Sequence, residues 1–166
     1  MKKILIALAL IALPMGAMAQ KFAHFDSSQV IQNMDEYKKA QTDLEAMQKN
    51  YEDELSRTNE ELNKKYQEYL AQADSLPKNI AERRQKEIQD MASRQEQFQQ
   101  EAYNSLQNAQ QEAMVPIYQK VSTAVKAIGD AGGYTYIFDI SSTTIPYVGS
   151  DSKDVTAEIK TKLGIK

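Results

Sequence analysis

The chain has 166 residues, with 20 Lys and Arg, 23 Asp and Glu, one His and no Cys. Without cysteine there are no disulfides, and with a single histidine the usual ligand sets for zinc or haem are missing, so no cofactor or metal is expected. The net charge of −3, with no basic stripe, argues against a nucleic-acid binder.

The first nineteen residues, MKKILIALALIALPMGAMA, have a basic start at Lys2 and Lys3, an apolar run from Ile4 to Leu13, and Ala17-Met18-Ala19 as a small-x-small cleavage site. This is the pattern of a secretory signal peptide, which puts the mature start at Gln20 and the protein in an exported compartment. The apolar run is shorter than the roughly 20 residues a membrane span needs. With Lys2 and Lys3 removed, 18 basic residues stand against 23 acidic ones, a net charge of −5.

KFAHF, residues 21–25, reads as a strand. Asp26 can cap a short helix carrying Val30 and Ile31, with Gln29 three residues on as in a capping box. From Asp35 to about Ala73 there is no Pro or Gly. Tyr37, Leu44, Tyr51 and Thr58 recur every seventh residue, and so do Gln41, Gln48, Leu55, Leu62 and Tyr69. Two interleaved rows of this kind form a coiled-coil seam, here interrupted by Gln41, Gln48, Thr58 and Lys65. Such a helix is a rod about 57 Å long.

ADSLPKN, residues 73–79, breaks the rod, since Pro77 forbids a continuous helix. Asn79 with Glu82 resembles a capping box and predicts a second helix from there to Ile128. Its stripe is Ile80, Ile88, Met91, Phe98, Ala102, Ala109 and Ala113. Pro116 lies inside it and predicts a kink or hinge. A turn this short makes the helices antiparallel neighbours, with the tip near 75–79.

YTYIFD, residues 134–139, reads as a strand with Tyr134, Tyr136 and Phe138 on one face. ISSTT reads as a turn and IPYV, residues 145–148, as a return strand, with Pro146 at an edge. Asp154 is a cap for a last short helix carrying Val155, Ile159 and Leu163, closed by Gly164. The expected fold is therefore α+β and mostly α: a long antiparallel helical hairpin on a small β body. The body comprises residues 20–34 and 115–166, and the arm residues 35–114. Three short strands make a marginal sheet with open edges and aromatic faces. Assembly of several copies through Phe22, Phe25, Tyr134, Tyr136, Phe138, Ile145 and Tyr147 would solve this.

The order of signal peptide, strand, long hairpin and strand-rich end resembles the Skp/OmpH family of periplasmic chaperones. KFAHFDSSQVIQNMDEYKKA and GYTYIFDISSTTIPYVGSDSKDVTAEI carry the resemblance. It implies a periplasmic homotrimer whose arms enclose unfolded outer-membrane proteins without ATP. A holdase of this kind binds varied apolar segments weakly, a task suited to flexible Met and amphipathic Tyr. Met47, Tyr66, Tyr69, Met91 and Tyr103 are the candidates on the arm, against the alternative that such residues only pack the two helices together. Lys78, Arg83, Arg84 and Lys86 make a basic tip that could touch an anionic membrane surface transiently, or could be ordinary solvated helix start. His24 reads as a structural or surface residue. The carboxylates at 52–54 and 60–61 lie on a rod with no pocket around them. No phosphate-binding loop or nucleophile elbow is present, so an enzyme is not expected. A structural coiled-coil adaptor bridging one folded partner is the alternative function.

Overall fold

The computed structural model describes residues 20–142 and 144–165, so the predicted signal peptide lies outside the described residues. The elements in chain order are β1 (Lys21–Phe25), α1 (Ser27–Ile31), α2 (Asp35–Gln72), α3 (Lys78–Gly132), β2 (Tyr134–Asp139), β3 (Ser152–Asp154) and α4 (Thr156–Lys162). They divide into two compact units: residues 31–120, and the described residues on either side, 20–30 with 121–142 and 144–165. The expected boundaries were 34/35 and 114/115.

The hairpin unit contains α2 and most of α3. Contacts between the helices fix their antiparallel pairing. Glu36 meets Lys120, Tyr51 packs edge-on against Phe98 with centroids 5.8 Å apart, and Lys65 pairs with Glu87 at 2.8 Å. As one number rises, the other falls. Tyr37, Leu44, Tyr51, Thr58 and Lys65 are all half-buried, as the first heptad row requires.

The second row departs from expectation. Gln41 and Gln48 are exposed, and Ala40, Met47 and Glu54 take the seam in their place; only from Leu55 onward do Leu62 and Tyr69 occupy it. A straight α-helix drifts about 20° per heptad from a strict seven-residue repeat, so no single pair of rows can face the partner for 38 residues. Gln41 instead donates to the Tyr37 hydroxyl (3.2 Å) and Gln48 to Glu52 (2.8 Å).

At the tip, α3 starts at Lys78, so Asn79 lies within the first turn and is not the cap. The Pro77 carbonyl accepts from the N–H groups of Ile80 and Ala81 at 2.9 and 3.0 Å, which starts the helix one step early. At its other end α3 continues to Gly132, four residues beyond the expected Ile128. The stop is Gly133, whose φ of 64° is a left-handed conformation open chiefly to glycine. Pro116 does not interrupt α3.

In the other unit the strands are all parallel, in the order β2-β1-β3. This corrects the expected return strand at 145–148. Residues 144–149 are irregular, and Tyr147 is 80% exposed. Pro146 has no N–H for a ladder, and the place beside β1 is taken by Ser152–Asp154. Phe22 pairs with Tyr136 and Ser152, and His24 with Phe138 and Asp154. Ala23 and Phe25 point to the opposite side and are buried, as are Val30, Val121, Ala124, Val155 and Ile159.

Carboxylates tie this unit together at the strand ends. Asp26 accepts from the N–H and side-chain amide of Gln29 at 3.0 and 2.9 Å, while its own N–H donates to the Thr156 hydroxyl. Asp154 accepts from the N–H of Thr156 at 2.9 Å and from its hydroxyl at 2.6 Å. Asp139 accepts from the backbone N–H groups of Ser27 (3.2 Å) and Ser141 (3.0 Å) and from the Ser141 hydroxyl (2.8 Å). Burial pushes the Asp139 carboxyl up, but hydrogen bonds from Ser27, Ser142 and Ser141 outweigh it and hold the group at about 2.

Candidate functional site

Two kinds of surface stand out. The first is the outer face of the sheet. Because β1 and β2 are parallel and in the register above, Phe22, Tyr136 and Phe138 align on one side. Phe22 and Tyr136 are stacked with centroids 6.3 Å apart and planes 3° from parallel. Tyr136 and Phe138 are 5.8 Å apart at 27°. Tyr136 and Phe138 are both more than two-fifths exposed. This aromatic row is an exposed apolar patch on the outer face of the sheet. Of the other residues expected at an interface, Tyr134 and Ile145 are half-buried and Tyr147 is fully outside. Phe25 is a correction: at 6% exposure it belongs to this unit's own core, because alternation along the strand turns it away from Phe22.

His24 sits on the same outer face, its Nδ1 2.9 Å from the Ser152 hydroxyl. The Thr156 hydroxyl, with its N–H and the nearby His24, holds the Asp154 carboxyl below the usual range. These groups serve the sheet and the start of α4.

The second surface is the hairpin. The seam takes Met47, Tyr69 and Met91, all half-buried between the helices, whereas Tyr66 (46% exposed) and Tyr103 (59%) face outward. Met47 and Leu44 line a hollow of about 380 Å³ with Ala40, Ala109, Ala113 and Pro116. Small side chains on both helices open it. The Lys120 ammonium, bonded to Glu36 at its rim, holds that carboxyl below the ordinary carboxylate range. Three outward residues were missed by the sequence reading: Leu70, Val115 and Tyr118, between 49% and 56% exposed. Leu70 is four residues after Tyr66, so helical spacing from a residue already singled out would have found it.

At the tip, Lys78 lies 3.9 Å from Glu82, and Arg84 3.5 Å from Glu87. Arg83 and Lys86 are exposed and form no ion pair among the described residues. These cations lie at the N-terminal, positive end of the α3 dipole, and its first turn has no acidic residue to offset them. Among the described residues no group of three His, Cys, Asp or Glu could hold a metal ion, and no helix is long and apolar enough to cross a membrane.

The described residues thus comprise a small parallel sheet and one long helical hairpin. The family described as "Outer membrane protein (OmpH-like)" matches residues 21–163. The chain belongs to the OmpH-like family. A proposed outer membrane chaperone (OmpH-like) from Caulobacter crescentus CB15 has a similar fold, with a TM-score of 0.75 at 16% identity. The match covers 89% of this chain and 86% of that one. No curated protein matches the chain. The OmpH-like match begins with β1 and ends one residue beyond α4, so it takes in the sheet and the whole hairpin.

Proposed function

We propose that this OmpH-like protein is an ATP-independent periplasmic holdase that binds unfolded outer-membrane proteins between the arms of a homotrimer. The observation that carries the reading is the hairpin: a rod with a thin seam and with Tyr66, Leu70, Tyr103, Val115 and Tyr118 left outside it. A folded protein gains nothing from exposing these side chains, while weak contacts repeated along a rod give avidity to a flexible client. Met47, Tyr69 and Met91 join the contact when the seam opens locally. The aromatic row Phe22, Tyr136 and Phe138, with Tyr134, Ile145 and Tyr147 beside it, forms the contact between copies. Arg83 and Lys86, with Lys78 and Arg84, touch anionic headgroups transiently, and Pro116 serves as the hinge that sets arm spread.

The family membership and the likeness to the Caulobacter protein support the chaperone role, and the leader-like first nineteen residues support the periplasm. The test is aggregation of a transmembrane β-barrel protein diluted from urea. Near-stoichiometric mature protein, without nucleotide, suppresses light scattering. Unchanged scattering refutes the reading. Sedimentation gives a mass of three chains for the wild type and a smaller one for Tyr136→Glu; a wild-type monomer refutes the trimer.

A further inference from the structure

The geometry points to a specific client-binding face on α3: the stripe Tyr103, Gln107, Gln110, Met114 and Tyr118, which takes uncharged, extended segments of an unfolded polypeptide. This rests on the holdase reading and names the part of the arm that does the holding.

The first observation is charge. Residues 97–119 contain two charged side chains, Glu101 and Glu112, and nine Gln or Asn. Residues 35–57 of the facing helix, a window of equal length, contain eleven charged side chains. A neutral stretch in so charged an arm disfavours a charged partner, which would lose water and counter-ions there without compensation.

The second observation is the order of side chains along the stripe. Steps of four, three, four and four residues keep all five on one face of the helix, away from the seam residues Phe98, Ala102 and Ala109. Tyr103 is 59% and Tyr118 56% exposed, and Met114 is half-buried between them. Gln107 donates to the Tyr103 hydroxyl at 3.3 Å, which holds the ring along the stripe. A helix docking in coiled-coil fashion needs apolar residues at successive seam positions, and Gln107 and Gln110 occupy two of those here. An extended chain has different needs. Its unpaired backbone N–H and C=O groups require donors and acceptors together, which an amide side chain supplies in one group. Tyr and Met supply weak apolar contacts of no fixed register. Tyr103 and Tyr118 are about 22 Å apart along the helix, a span of about seven residues of extended chain.

The test uses the full mature protein and a fluorescently labelled transmembrane β-barrel protein diluted from urea. Tyr103→Ala with Tyr118→Ala, and separately Gln107→Glu with Gln110→Glu, each weaken binding about five- to tenfold, the loss of one or two aromatic contacts or the cost of desolvating added charge. Circular dichroism establishes that both variants keep their helix content. Lys49→Ala with Glu60→Ala, exposed charges on α2, changes affinity less than about twofold. Raising salt from about 50 to 500 mM weakens wild-type binding less than about threefold, since screening acts on charge. Variants that bind as the wild type does, or a wild-type affinity that falls tenfold with salt, overturn the assignment while leaving the holdase reading standing. A fall in oligomeric mass in the Tyr103/Tyr118 variant also overturns it, by giving the face to a second copy. A wild type that binds no client at all overturns the holdase reading itself.

Discussion

In the sheet unit, Ala23, Val30, Val155 and Ile159 are at most 1% exposed, whereas α2 of the hairpin runs for 38 residues without a buried one. Both are built from regular elements, but different forces hold them. The sheet unit has side chains removed fully from water and carboxylates that collect hydrogen bonds from three strand ends. Along the hairpin, α2 contributes only half-buried residues and α3 two buried ones, Ala102 and Ile117, with ion pairs and one aromatic contact between the helices. Full burial stabilises strongly per residue and tolerates little change. A thin seam stabilises weakly per residue, and it can open in part without collapse of the whole.

The largest effect should come from the buried end. Ile159→Ala removes a fully buried side chain from beneath the sheet and should cost about 2–5 kcal/mol. Leu62→Ala, on the half-buried seam, should cost about 1 kcal/mol. Urea unfolding followed by circular dichroism, with hydrogen exchange to separate the units, measures both. Equal losses would break the contrast between the units.

Asp139 sharpens the contrast by acidity. Its carboxyl is held at about 2 in the folded chain and has a value of about 3.9 when unfolded. A lowered folded value means the stabilisation is present above about pH 4 and is lost as the pH falls toward 2. Allowing for partial exposure, it amounts to about 1–2 kcal/mol. Asp139→Asn should therefore destabilise the sheet unit near neutrality and have little effect near pH 2, when unfolding midpoints of variant and wild type are compared. A deficit that persists at pH 2 would mean that geometry, and not ionisation, provides the clasp.

These differences also explain what could be read from the sequence. The hairpin was legible because helical periodicity, Pro77 and the heptad row Tyr37 to Thr58 are local signals. The aromatic face of β2 was legible from alternation. The register drift that admits Met47 and excludes Gln41 was hidden, since it accumulates over several turns and depends on the straightness of the helix. The third strand was hidden for another reason. Ser152–Asp154 has no apolar pattern, and its place beside β1 depends on pairing across more than a hundred residues. Tyr147 and Val148 look like a strand locally, and Pro146 together with the competing partner overrides that preference.

Within the hairpin, polar seam positions set the next prediction. Thr58 is half-buried, and its hydroxyl donates back to the Leu55 carbonyl at 3.1 Å. Thr58→Leu should stabilise the hairpin by about 1 kcal/mol by adding apolar burial to the seam, as slower hydrogen exchange in residues 50–100. If weak closure is the property that serves binding, the same variant should hold a client less well where Met47, Tyr69 or Met91 takes part. Tighter helices with unchanged client binding would separate seam opening from function and leave the outward residues as the whole of the surface.

The smallest effect should come from Lys65 and Glu87. Lys65 holds the Glu87 carboxyl below its ordinary range, chiefly through their hydrogen bond, with Arg84 adding a lesser contribution. Both side chains are about a third exposed, so salt weakens the pair and its loss should be barely measurable in overall stability. Its role is better tested through register. A charge lies at a seam position where an apolar residue would stabilise more, and an ion pair at one place along two helices favours one alignment over its neighbours. Lys65→Glu should therefore loosen the alignment near the tip, read as a broader distance distribution between spin labels at positions 61 and 92, and Glu87→Lys added to it should restore the narrow one. Restoration assigns the pair to alignment. A distribution that stays broad in the double variant would mean that the Tyr51–Phe98 contact and the connection at Pro77 fix the register between them.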